Sequence, residues 1–266
     1  MNMKSIRHYL DVTFYNIRLA LMTILEYPGD FLGWLLSNPI QFVVGFATIR
    51  FVVQEFGTIN GWDQGQLAFL YGISVISHAF SMMLFVQGWF MGYYVVEGEF
   101  DRYMLRPLSV LYQFFFTNFN VFGITDLIPG ICVLAYGCMQ VHFAWNISRV
   151  AAVLLLIAGA TMIRGGIYIF MGTFSFWTRS VNDFAGFTQE FFDKTTMYPL
   201  TMYPKAMQFV LTYLIPIGWI SFYPAEGLLK GINTGVIFTF FIGVVVLAFA
   251  GIFFQYGLTK YESAGH

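Results

Sequence analysis

The chain has 266 residues, of which 58% are hydrophobic, 20% aromatic and only 10% charged, with a formal net charge of −1. An ordinary soluble domain carries about 25% charged residues, so a water-soluble fold could not hide this much apolar surface. The near-zero charge and the lack of any basic block exclude nucleic acid as a partner.

Residues 1–25 hold no clean apolar core and no small-residue cleavage site, so a secretory signal is not expected there. From residue 5 to 26, Ile6, Tyr9, Leu10, Phe14, Ile17, Leu21 and Leu25 recur at three- and four-residue spacing, with Arg7, Asp11 and Arg18 between them. The spacing predicts an amphipathic helix. It would lie flat in the inner membrane interface or, alternatively, over cytoplasmic protein surface. Tyr27-Pro28-Gly29-Asp30 then breaks it.

Six apolar stretches follow, at 31–53, 67–91, 112–138, 150–174, 207–220 extended to 223, and 234–256. A membrane-spanning helix needs about 20 mostly apolar residues, and a separate globular domain would need on the order of 50–100 residues outside them. The expected fold is an all-α polytopic membrane protein: one transmembrane domain over 1–266, with six transmembrane helices within 31–256. Lys and Arg flanking the spans favour the cytoplasmic side. With the N-terminus inside, Lys4, Arg7, Arg18, Arg102, Arg106, Arg179, Lys194, Lys205 and Lys260 are expected in the cytoplasm. Arg50, Arg149 and Lys230 then fall at or beyond the outer face. Both termini are thus expected inside the cell, in a plasma-membrane protein. Cys132 and Cys138 face different directions on one helix and read as small core residues, not as a disulfide or metal pair.

Between the second and third stretches lies Val96-Glu97-Gly98-Glu99-Phe100-Asp101-Arg102-Tyr103-Met104-Leu105-Arg106-Pro107-Leu108. Charge there is far denser than the chain average, and both signs alternate with Phe100, Tyr103 and Leu105. A short helix along the membrane, stopped before Pro107, is expected. Exposed charges around a few aromatic anchors suit a protein–protein contact. A solvated loop that only satisfies the positive-inside bias fits the same residues.

The run Gly-Glu-Phe-Asp-Arg-Tyr-Met-Leu-Arg-Pro-Leu at 98–108 resembles the signature of ABC-2 type permeases, the membrane subunits of one class of ATP-driven exporter. A second run, Tyr198-Pro199-Leu200-Thr201-Met202-Tyr203-Pro204-Lys205, followed by an apolar span and Tyr223-Pro224-Ala225, resembles their later part. The resemblance implies a coupling helix within 97–107 that docks on a nucleotide-binding subunit. Glu97, Glu99, Phe100, Asp101, Arg102, Tyr103, Arg106 and Pro107 would form the docking element. It also implies ABC ATPase subunits and a second permease chain, a distinct one, as partners in the bilayer. No Gly-x-x-x-x-Gly-Lys-Ser/Thr phosphate loop occurs in the chain. No cofactor is therefore expected in it, ATP being bound by the partner, and it is not expected to be an enzyme itself.

Asp126 falls inside the third stretch and Arg164 inside the fourth, and each costs several kcal/mol when unpaired in lipid. Their depths differ by about 10 Å at 1.5 Å per residue. They could pair with each other; alternatively Arg164 snorkels to the interface and Asp126 caps the stretch before Pro129. His78 and His142 read as hydrogen-bonded packing residues, and no zinc or hydrolase motif accompanies them. The Met and Phe residues of the second stretch suggest an adaptable surface for a hydrophobic or amphipathic cargo. Residues 179–205 mix Asp183, Glu190, Asp193 and Lys194 with Phe184, Phe187 and Phe191. They are expected to form an amphipathic helix at the inner interface and a second contact with an ATPase. The alternative function is a stand-alone secondary transporter or channel, although the two halves show no matching broken helices.

Overall fold

The computed structural model describes residues 3–178, 184–231 and 234–262; Arg179 and Asp183 lie outside them. Every regular element among the described residues is a helix. Helix α1 (Met3–Glu26) turns a half-buried stripe, including Tyr9, Thr13 and Ile17, toward the rest of the protein. Leu10, Phe14, Leu21 and Leu25 stay exposed on its other side. Pro28 opens α2 (Pro28–Phe56), where its missing N–H costs no helical bond. This helix buries only Phe42, Ile49 and Val53.

Asp63 begins α3 (Gln64–Phe85) with a reciprocal cap: its Oδ1 accepts from Gln66 N, and Gln66 Oε1 accepts from Asp63 N. The chain continues past Val86 into α4 (Gln87–Val96). It then makes the single turn of α5 (Asp101–Met104) and the short α6 (Val110–Phe116). The third apolar stretch is therefore not one helix. Asn118 Nδ2 donates to Phe114 O and to Tyr103 OH, and Asn120 Oδ1 accepts from Phe122 N. These local side-chain bonds compete with the helical ladder, so α7 (Ile124–Gln140) starts only beyond them. Asn146 caps α8 (Ile147–Thr173), which runs on through α9 (Ser175–Thr178). The remainder is α10 (Phe184–Thr196), α11 (Lys205–Phe209), α12 (Phe222–Leu229) and α13 (Thr234–Leu258).

Five helical stretches are long and apolar enough to cross a membrane: Pro28–Phe56, Gln64–Val96, Val121–Gln140, Ile147–Thr178 and Thr234–Leu258. A sixth candidate, Lys205–Leu214 with Ile217–Leu229, is bent by 76°. Pro216 sits at that bend and cannot donate to a continuous ladder. The straight fifth span expected over 207–223 is thus corrected to a sharply broken pair.

Neighbour contacts fix the directions. Gly137 faces Phe69 and Gly130 faces Ile76, so α7 runs antiparallel to α3. Gly165 meets Phe85 and Gly88 meets Tyr168, so α3–α4 runs parallel to α8; Gly159 meets Phe240 and Gly257 meets Thr173, so α13 does too. Small residues permit these close crossings; a Cβ on Gly172 would lie 2.4 Å from Gly88 O. Parallel α8 and α13 require the chain to return along the bundle between them, and α10 makes that return. Thr188 borders Gly88, Gly92 and Thr178. Further along, Thr196 Oγ1 bonds Ser74 Oγ at 2.6 Å, and Thr201 O accepts from Asn60 Nδ2 at the far turn. The bent pair stays near that far end, where Ser221 Oγ donates to Thr196 O and Phe222 packs on Trp62. Of the amphipathic helix expected over 179–205, residues 184–196 are helical, and 179–183 lie outside the described residues. Asp193 and Thr196 of α10 face His78, Ser74 and Arg164 inside the bundle, while Glu190 and Lys194 pair with each other on its exposed side.

Candidate functional site

The loop over 97–107 is built around rings. Gly98 takes a positive φ of 71°, which turns the chain so that Phe100 N bonds Tyr94 O. Phe100 is 0% and Tyr103 1% exposed. The Phe100 ring lies 5.1 to 5.4 Å from those of Phe176, Tyr261 and Phe114, which come from three distant parts of the chain. The buried Gln113 amide donates to Tyr103 O and Leu108 O and closes the loop from behind. Tyr261 OH donates to Asp101 Oδ1 at 2.7 Å. Burial and that carboxylate together push its phenol above the usual range, so it stays a donor.

This geometry corrects one expectation. Phe100 and Tyr103 are not exposed anchors for a partner, because the rings of Tyr94, Phe114, Phe176, Phe254 and Tyr261 pack around them. What the loop presents outward is Leu105, 86% exposed, with Met104, Arg106 and Pro107 beside it. Glu97, Glu99 and Arg102 are exposed on the same loop. Arg102 stands 3.9 Å from Glu99, donates to Tyr103 OH and stacks over that ring.

The second candidate is a chain of polar groups inside the bundle. Arg164 is fully buried and does not snorkel; its Nη2 donates to Ser74 Oγ at 2.8 Å and to Thr196 Oγ1 at 3.2 Å. Its Nη1 lies 4.0 Å from Asp193 Oδ1, and its guanidinium covers the Phe192 ring at 5.0 Å. Asp193 is also 3.6 Å from His78 Nδ1, whose Nε2 lies 3.8 Å from Asp126 Oδ2. Asn38 Nδ2 donates to Asp126 Oδ1 at 2.9 Å. Arg164 and Asp126 therefore do not pair: His78 and Asp193 stand between them. Charges held this deep are ordinarily paired and mark functional paths.

A family model for ABC-2 family transporter proteins matches residues 39–265. The chain belongs to this family. No curated protein and no solved structure compared with it gives a significant match. ABC-2 family proteins are membrane components of transporters and generally work with ABC ATPase partners. With its several apolar helices this ABC-2 chain is a multi-pass membrane protein.

Two titratable members of this ABC-2 protein's polar chain were not singled out by sequence reasoning: His78, taken as hydrogen-bonded packing, and Asp193, taken as part of an interfacial helix. A signal existed for the first. Ser74, Ser77, His78 and Ser81 lie at helical spacing on α3 and form a polar stripe in an otherwise apolar helix. That stripe announces a polar partner inside the bundle. Asp193 carried no comparable mark.

Proposed function

We propose that the chain is the permease subunit of an ATP-driven exporter, energised by separate ATPase subunits and paired with a second, distinct permease. The match of nearly the whole chain to the ABC-2 family carries this reading. In it, residues 97–107 are the coupling element, with the Leu105 knuckle as apolar contact and Glu97, Glu99, Arg102 and Arg106 as its rim. Phe100 and Tyr103 set its shape from within, Asp101 ties it to Tyr261, and Pro107 stands beside Leu105 on its outer side. A rigid aromatic base under the exposed side chains of Leu105 and Met104 supports this role, because pre-ordered contacts cost less to bind. The exposed Leu10, Phe14 and Leu25 support an α1 laid in the inner interface of a plasma membrane. The cargo is hydrophobic or amphipathic.

The proposed topology has six passes with both termini in the cytoplasm, and its fifth pass is α10 extended to Thr201. Lys205 then faces outward with Arg50, Arg149 and Lys230, while Lys4, Arg7, Arg18, Arg102, Arg106 and Lys260 keep the positive bias inside. Single cysteines at Gly61 and Thr201 should be labelled from one side of the membrane, and one at Lys260 from the other. Labelling of Thr201 from the Lys260 side would overturn this path. For the function itself, purification in mild detergent should retain an ATPase subunit, and reconstituted vesicles should show ATP-dependent efflux. Efflux by the chain alone, without any ATPase, would defeat the permease reading.

A further inference from the structure

The polar chain borders a cavity of about 520 Å³ between α2, α3 and α10, a size suited to a drug-like molecule. Three observations describe what would fit it. First, His78 is 2% exposed, lines the cavity, and its Nδ1 has no hydrogen-bond partner among the described residues. Its nearest group there is Asp193 Oδ1 at 3.6 Å, beyond hydrogen-bond length. Second, Asp193 reaches the cavity with its side chain 33% exposed, and its nearest cation, Arg164, is 4.0 Å away and committed to Ser74 and Thr196. Along this chain two carboxyl groups, Asp126 and Asp193, flank His78, and Arg164 contributes one guanidinium. Lys194 at the cavity edge is held by Glu190. Third, the walls carry the rings of Phe42, Tyr71, Tyr198 and Tyr203, with Met197 and Met202 between them.

We propose that this cavity is a binding site for a lipophilic organic cation, whose charge sits against Asp193 and whose apolar body lies on the aromatic walls. A cation completes the charge balance, aromatic faces attract it further, and flexible Met side chains accommodate its shape. An anion would face the Asp193 carboxylate at close range. The proposal deepens the exporter reading, and rests on it only for the claim that the bound cation is cargo.

The test uses the full-length chain in lipid nanodiscs, with tetraphenylphosphonium as cation and tetraphenylborate as anion of the same shape. Empty nanodiscs supply the background in equilibrium dialysis. Saturable phosphonium binding at least about tenfold tighter than borate binding is expected, given the size of one charge interaction near a protein surface. Asp193→Asn should weaken phosphonium binding about tenfold, and Asp193→Glu should retain it within about threefold. Tyr198→Leu should cost about threefold through its ring. Equal binding of the two ions would overturn the proposal, as would a folded Asp193→Asn protein with wild-type phosphonium affinity. If Asp193→Asn does not fold, the wild-type ion ratio and Tyr198→Leu decide. Binding needs no ATP: phosphonium held in the cavity without ATP-driven efflux would defeat the exporter reading alone. Efflux of another cargo without phosphonium binding would defeat this site alone.

Discussion

The loop over 97–107 and the polar chain in the bundle are both assembled from charges and aromatic rings, but one is the other turned inside out. In the loop, Phe100 and Tyr103 are buried, while Glu97, Glu99, Arg102 and Arg106 are outside. In the bundle, Arg164, His78 and Asp126 are buried, and rings such as Phe192 and Phe42 surround them. The difference lies in what each arrangement can bear. Rim charges in water are worth little one by one, so the loop's fold rests on its rings. Charges in the bundle have no water to fall back on, so removing one strands its partners.

The largest effect should come from breaking the bundle side of that comparison. Arg164→Met removes the guanidinium that lies 4.0 Å from Asp193 Oδ1 and leaves the Ser74 and Thr196 hydroxyls without its hydrogen bonds. Breaking a buried pair in this way costs about 3–5 kcal/mol. The purified variant should lose most of its folded yield in detergent, read as the monodisperse fraction after mild heating. A second change, Asp193→Asn in the same chain, should recover part of that loss, because neighbouring sites in one network are not additive. A double variant as poor as Arg164→Met alone would show that the two groups are not coupled.

The loop side is sharpened by two substitutions that sequence reasoning alone would rank the other way round. Phe100→Ala empties a ring site packed by Phe114, Phe176, Phe254 and Tyr261, and should cost about 3–5 kcal/mol of stability. Leu105 is 86% exposed, so Leu105→Ala should leave thermal stability nearly unchanged. It should weaken ATPase binding by about 1–2 kcal/mol, the range of a contact residue just below a hot spot. Co-purification yield and thermal midpoint separate the two. A stable Phe100→Ala chain that loses its ATPase would return Phe100 to the docking surface.

How much of this was legible follows from where the partners lie in the chain. The apolar stretches and the charged loop are contiguous, and a window of residues finds them. The Asn118 and Asn120 break in the third stretch was also visible as residue types, though not as hydrogen bonds. The inward turn of Phe100 was hidden, since Phe176, Phe254 and Tyr261 lie far along the sequence. The path of α10 was hidden for a related reason. Its Thr188, Asp193, Thr195 and Thr196 lower its average hydropathy, and Ser74, His78 and Arg164, the partners of Asp193 and Thr196, are on other helices. A segment that satisfies its polar groups within a bundle looks, read alone, like one that needs water.

The smallest effect should be at the loop's rim. Arg102 and Glu99 are both about half exposed and 3.9 Å apart. Such a pair is worth under about 1 kcal/mol and fades further when the Debye length falls to about 3 Å at 1 M salt. Arg102 also lies 5.0 Å over the Tyr103 ring and donates to its hydroxyl, contacts that depend on the planar guanidinium. Glu99→Gln should therefore leave the thermal midpoint unchanged at any salt concentration. Arg102→Ala should lower it slightly, and by nearly the same amount in 1 M salt, because stacking and hydrogen bonding survive where the ion pair does not. An Arg102→Ala loss that vanishes in high salt would place the ion pair, not the rings, in charge of the loop, and the contrast between the two charged regions would shrink accordingly.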